Sequence, residues 1–203
     1  ETNVERTWET NITGVQKILN WCYNIPKKPC FIQISSDMSI RPINTYGTTK
    51  WMADQLIKNQ LPHDSVILYA CHLFGNSTAP KKTFPNWVVE KIREKKEFEV
   101  AANIYCRPTW TRDVRRAIEW IIEGGYRGEL VVAGADYVSK WDHARLIEDS
   151  MYVLIDSNDS IIKRGFGYRG PAARESADLW KEKIPRFSNT TPLEESTRLF
   201  MKE

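Results

Sequence analysis

Ser36, Asp37, Tyr46 and Lys50 are the residues whose types and spacing point to chemistry. Tyr46 and Lys50 stand four positions apart in a stretch with helical periodicity, which puts both side chains on one face, a turn from each other. A free phenol ionises near pH 10, about three units too high for a base at neutral pH. A cation one turn away favours the phenolate and is expected to lower that value. A serine hydroxyl from a neighbouring strand end can bind the same substrate oxygen. Such a trio is a proton relay at a carbonyl or alcohol, suited to hydride transfer. A core tyrosine beside a solvated lysine is the alternative.

These residues need a strand, a loop and a helix to hold them. The apolar run Cys30 to Ile34 reads as a buried strand. Ser35, Ser36 and Asp37 follow, then a loop with Pro42, then a helix from Tyr46 with Met52, Ala53, Leu56 and Ile57 at helical spacing. Upstream, residues 5–23 read as a helix with a stripe of Trp8, Ile12, Val15, Ile18, Leu19 and Cys22. Downstream, Ser65 to Ala70, Phe98 to Cys106 and Glu129 to Val132 read as strands. Helices are predicted from Phe84 to Lys95, after Asp113 with Val114, Ala117, Ile118, Ile121 and Ile122 inward, from a cap near Ser139, and near the end of the chain. Gly124-Gly125 ends one of them, and Asp113 is expected to cap its start. Strands alternating with helices imply an α/β protein with a parallel sheet.

The order strand, SSD, turn, YGTTK and amphipathic helix resembles the extended short-chain dehydrogenase/reductase family. SSDMSIRPINTYGTTK is most similar to the STDK…NPINLYGATK block of its nucleotide-sugar 4,6-dehydratases, and the separation of Ser36 and Tyr46 matches that branch. RPTWTRDVRRAI is similar to a segment of sugar-nucleotide reductases such as the dTDP-4-dehydrorhamnose reductases. The resemblance implies a Rossmann-like parallel sheet, the C-terminal part of a nucleotide-binding fold, over about 1–74 and 112–133. A small α/β substrate lobe is implied over about 75–111 and 134–203. It implies Tyr46 as acid/base, Lys50 as its electrostatic partner and nicotinamide-ribose ligand, and Ser36 as partner of the substrate oxygen. Asp37 is a further acid candidate. NADP or NAD is the implied cofactor, with Tyr46, Lys50, Ser35 and the Cys71-His72-Leu73 loop against it. A nucleotide sugar is the implied substrate, with Ser36, Asn76, Arg107, Arg169 and Arg174 as ligands. Arg107 is open to a second reading as a surface ion pair, and His72 to a structural one. Asn11 is open to a part in the relay or a structural hydrogen bond. The family commonly dimerises through the helix bearing the tyrosine, where Trp51 is placed for an interface or for internal packing.

Two departures from the family pattern matter. Met38 stands where the dehydratases carry lysine, and a thioether cannot abstract a proton. No GxGxxG or GxxGxxG occurs, so the glycines that let a backbone approach a pyrophosphate are not in these residues. In the family that motif precedes the region with which this chain opens. Reduction of a 4-keto nucleotide sugar is therefore the leading expectation, C4 epimerisation uses the same relay, and dehydration ranks below both. A non-catalytic regulatory or structural subunit is the expectation from another class.

Composition is that of a globular protein of 203 residues, long enough for one substantial core. The net charge of +3, with scattered basic residues, does not suggest nucleic-acid binding. No run approaches a membrane span, no signal peptide is evident, and Cys22, Cys30, Cys71 and Cys106 lack metal-site spacing. The expectation is a cytoplasmic protein with reduced thiols and no metal.

Overall fold

The run Phe31–Ser36 forms strand β1, two residues longer than its apolar core, so that both serines belong to the strand. A computed structural model describes residues 3–76, 82–152, 160–167 and 184–202. The chain divides into two compact units. One comprises Glu1–Ala70, Arg115–Val132 and Asp178–Phe187, the other Cys71–Val114, Ala133–Ala177 and Ser188–Glu203.

In the first unit, β1, β2 (Ser65–Ala70) and β7 (Gly128–Val132) form a parallel sheet in the order β1-β2-β7. Its register pairs Phe31 with Ser65 and Ser36 with Ala70 on one side, and Val66 with Gly128 and Ala70 with Val132 on the other. All six residues of β2 are buried, which is why SVILYA reads as an unbroken run rather than an alternation. Arg186 continues the sheet beside Val131 through Val131 N–H to Pro185 O and Phe187 N–H to Val131 O, each 2.9 Å.

The first helix is not regular. Helix α1 (Val4–Trp8) runs into a π-helical turn, Glu9–Thr13, and then into α2 (Gly14–Asn24). A π turn holds one residue more than an α turn. It therefore swings the preceding side chains off the stripe, and Trp8 is exposed where the periodicity predicts burial. Val15, Leu19 and Cys22 are buried as expected, while Ile18 lies at the margin and faces solvent.

Helix α3 (Thr45–Gln60) is capped by Asn44, whose side chain accepts from Gly47 N–H at 2.8 Å. Between β1 and α3, Asp37–Ser39 make a 3-10 turn capped by Ser36. Gly47 lets these pieces meet, since a Cβ there would stand 2.6 Å from the Met38 carbonyl oxygen. The core of the unit joins Leu19, Ala53, Ile57, Leu61, Leu68 and Leu130, all essentially inaccessible.

In the second unit the strands are short. β3 (Leu73–Phe74) pairs with β6 (Thr109–Trp110), and β4 (Phe98–Ala101) with β9 (Ile162–Gly165), both parallel. β5 (Tyr105–Cys106) pairs antiparallel with β8 (Val138–Ser139). The predicted continuous strand from Phe98 to Cys106 is thus two. The break falls where Asn103 leaves the ladder and exchanges hydrogen bonds with Gly167, 2.9 Å in each direction.

Helices α4 (Phe84–Arg93), α6 (Lys140–Tyr152) and α7 (Leu193–Lys202) supply much of that unit's core, with Val88, Ile92, Ile147 and Phe200 around Phe74. Ser139 caps α6 as predicted, in a reciprocal box. Its hydroxyl accepts from Asp142 N–H at 3.0 Å, and Asp142 accepts from Ser139 N–H at 3.1 Å.

Helix α5 (Thr111–Gly124) buries Val114, Ala117 and Ile121 but leaves Ile122 63% exposed, beyond the edge of the apolar arc. It stops before Gly125, whose φ of +63° is the left-handed cap position. The carboxylate of Asp113, expected at the start of this helix, lies in its first turn and accepts from the backbone and hydroxyl of Thr191, at 3.0 and 2.8 Å. No described helix is long and apolar enough to cross a membrane.

Gly47→Ala tests the close approach. The new methyl must displace a backbone carbonyl, so denaturant unfolding is expected to show a loss of about 1–3 kcal/mol.

Candidate functional site

Ser36, Asp37, Tyr46 and Lys50 come together in the first unit, at the C-terminal end of β1 and the start of α3. The C-terminal ends of parallel strands are where α/β folds place their ligands. Ser36 hydrogen-bonds the phenol of Tyr46. It also donates to Asp37 Oδ1 at 2.9 Å and accepts from Met38 N–H at 3.3 Å. A hydroxyl has one proton and two lone pairs. Ser36 can therefore accept a hydrogen bond from Tyr46 while donating to Asp37, or turn its proton to the phenol and release Asp37. Asp37 is buried and also accepts from Met38 N–H at 3.0 Å.

The electrostatics differ from the expectation. Burial raises the Tyr46 phenol above its ordinary value. Ser36 opposes this by hydrogen bonding, and Asp37 and Asp54 add to it by their charge. Lys50 does not bring the phenol down as expected. Its ammonium donates to the Ile34 carbonyl at 2.8 Å, across to β1, and burial pulls it below the ordinary lysine range. Spacing gives a shared helix face but not the direction of a long flexible chain. Tyr46 is nonetheless 39% accessible as a residue.

Asn11 bears on the backbone of the site, not on the relay. It donates to Thr49 Oγ1 at 2.9 Å, and that hydroxyl donates to the Tyr46 carbonyl at 3.0 Å. Ser35, expected against a cofactor, is turned inward. Its hydroxyl lies 2.7 Å from Asp54 Oδ2 and 3.2 Å from Ser39 Oγ. Asp54 escaped the sequence reading because a carboxylate on a helix suggests a solvated face. Its place four residues beyond Lys50 and four before Lys58 was the available signal.

Asp54 is only 1% accessible, and burial lifts its carboxyl to about 6 against the pull of Ser35, Ser39, Lys50 and Lys58. Further along this face Lys58 pairs with Glu129 at 2.7 Å, and Glu129 also accepts from Tyr69, 2.7 Å away. Burial together with that carboxylate pushes the Tyr69 phenol strongly up.

The remaining predicted residues belong to the second unit. Cys71 is buried, and Leu73 is 39% exposed. His72 holds a left-handed φ of 40° and accepts through its carbonyl from Thr109 N–H at 3.2 Å. His143 of the same unit is buried, and burial, then His72, pushes it down to about 4. Asn76 is exposed. Arg107 donates to the Ala135 and Gly134 carbonyls at 2.7 and 3.3 Å and lies over the Tyr137 ring, so it is set by the backbone and not by a carboxylate. Arg169 and Arg174 lie outside the described residues.

A family described as "RmlD substrate binding domain" matches residues 1–160. A dTDP-4-keto-6-deoxy-D-glucose reductase of Streptomyces niveus is 28% identical over 105 residues, 52% of this chain and 35% of that protein. The chain thus spans about a third of that relative's length. Among solved structures, a dTDP-4-dehydrorhamnose reductase from Clostridium acetobutylicum superposes with a TM-score of 0.74 at 17% identity, over 98% of this chain and 75% of that one. Another, from Bacillus anthracis in complex with NADP, gives 0.71 at 16% identity, over 100% and 76%. These likenesses carry the mixed α/β, Rossmann-like fold.

Ser36→Ala removes the bond that favours the phenolate, so the Tyr46 titration is expected to move to higher pH. Ultraviolet difference titration against Tyr46→Phe reads this shift. An unchanged midpoint would deny the bond.

Proposed function

Since the chain belongs to the RmlD substrate-binding domain family, we propose that it acts within an NADP- or NAD-dependent nucleotide-sugar oxidoreductase that reduces a 4-keto sugar. The observation that carries this reading is the hydrogen bond between Ser36 and the phenol of a partly exposed Tyr46, with Lys50 on the same helix face. In this reading the first unit is the Rossmann part and the second the substrate lobe.

The residues fit a nicotinamide cofactor. Lys50 has three ammonium donors, and the Ile34 carbonyl occupies one, leaving donors for ribose hydroxyls. Tyr46 shares its helix face and is accessible beside it. The bound cofactor supplies hydride to the sugar C4. Ser36 holds the ketone oxygen by turning its proton from Asp37 to the substrate, and Tyr46 delivers its phenolic proton to that oxygen. A phenol raised above its ordinary value rests protonated at neutral pH, so the proton that reduction needs is in place, although the shift makes it a weaker acid. Oxidation, and with it epimerisation, asks the same group to start as phenolate. Dehydration asks for a base where Met38 stands. Ser35 is left out of the cofactor contacts because its hydroxyl is spent on Asp54 and Ser39.

The second copy expected in a homodimer has a surface available to it. A groove of about 500 Å³ between α2 and α3 is lined by Gln16, Lys17, Asn20, Trp51, Met52 and Leu56, and Trp51 is 45% exposed. Trp51→Asp is expected to convert a dimer to monomer in light scattering, and a wild-type monomer would refute the pairing.

Tyr46→Phe is expected to leave circular dichroism and thermal unfolding unchanged and to lower turnover of a 4-keto nucleotide sugar about 10²–10⁴-fold. Lys50→Met is expected to abolish the thermal shift given by NADPH. Near-normal turnover in the first variant would overturn the relay.

A further inference from the structure

Asp54 is a buried ionisable group that the relay leaves without a task. Its position is specific. Ser35 of β1 donates to Oδ2 at 2.7 Å, and Ser39 of the 3-10 turn, whose own proton goes to the Ser36 carbonyl, lies 3.2 Å from the Ser35 hydroxyl. Oδ1 is buried with no hydrogen-bond partner among the described residues. A buried carboxylate oxygen without a donor is costly unless a cation stands near. The helix supplies two, Lys50 one turn before and Lys58 one turn after.

Lys58 already has a partner, because Glu129 of β7 accepts from it at 2.7 Å and Tyr69 of β2 donates to the same carboxylate. Lys50 is not so provided. Its one described bond is to the neutral Ile34 carbonyl of β1, and its side chain is half-buried. The groups that face Asp54 are therefore Lys50, Lys58 and Tyr46 from its own helix, Ser35 from β1, Ser39 from the turn, and Tyr69 from β2. Glu129 is tied up with Lys58.

We propose that Asp54 is the positioning residue for Lys50: its carboxylate, pinned by Ser35, supplies the counter-charge that keeps the ammonium in place over the end of β1. This rests on the reading of Lys50 as a cofactor ligand only for its functional consequence; the coupling itself belongs to the first unit. The directions of titration agree with it. Burial lowers Lys50 and Asp54 raises it, while Lys50 in turn lowers Asp54. A merely structural clamp would need the Ser35 bond and not the charge.

Asp54→Asn separates the two roles, because its amide oxygen still accepts from Ser35. With Lys50 assigned by comparison with Lys50→Met, nuclear magnetic resonance of lysine side chains is expected to show the Lys50 midpoint moving to lower pH in Asp54→Asn. It is expected to return in Asp54→Glu and to stay unmoved in Ser39→Ala. An unchanged Lys50 midpoint in folded Asp54→Asn overturns the proposal.

Should that variant not fold, the wild-type Lys50 signal decides. It is expected to carry a second inflection near pH 6, where Asp54 titrates, and the absence of one overturns the proposal equally. In parallel, the NADPH dissociation constant is expected to rise in Asp54→Asn at neutral pH, because the ammonium loses the charge that holds it in place. Wild-type protein that binds no NADPH would refute the cofactor reading alone, and the resonance data would still decide the coupling.

Discussion

The seam between helix α3 and strand β1 is the constraint on which the candidate site depends. Polar bonds cross it at successive turns. Ser36 meets Tyr46 at the helix start, Lys50 reaches the Ile34 carbonyl one turn on, and Ser35 meets Asp54 a turn later. At the top, Gly47 admits the Met38 carbonyl to a distance that any side chain would forbid. An apolar seam could slide by fractions of an ångström at little cost. Directional bonds between buried groups cannot, because each one broken strands a donor or acceptor away from water. The rigidity of the site thus comes from its polar complement and not from the hydrophobic core beneath it, which supplies the bulk of the stabilisation.

The same seam explains why neighbouring serines have different fates. Ser35 and Ser36 are adjacent in sequence and both are nearly buried, but Ser35 finds a carboxylate in the interior and Ser36 finds a phenol at the rim. The strand ends at Ser36, and its hydroxyl doubles as the cap of the following turn. A residue that ends one element and starts another is held from both sides. That suits a group asked to switch a proton between two partners.

Much of this was legible beforehand. Unbroken apolar runs marked β1, β2 and β7, helical periodicity marked α3 and α5, and the RmlD family match agrees with the resemblance carried by SSD and YGTTK. What stayed hidden depended on direction and depth. A four-residue spacing could not tell that Lys50 turns to a carbonyl, nor that Asp54 is sealed. A period of 3.6 assumes a regular helix, so it misplaced Trp8 ahead of the π turn. The split of the strand from Phe98 to Cys106 came from Asn103 bonding to a segment sixty-four residues away, which no local pattern contains.

The irregular turn at Glu9–Thr13 has a consequence of its own. Asn11 sits inside it and reaches Thr49, which grips the carbonyl of Tyr46. A chain shortened by one residue there would wind as an ordinary helix and carry Asn11 about 100° around the axis. The bulge is therefore a spacer of fixed length. Deletions would be felt at the phenol, while exposed substitutions on the same turn would pass unnoticed.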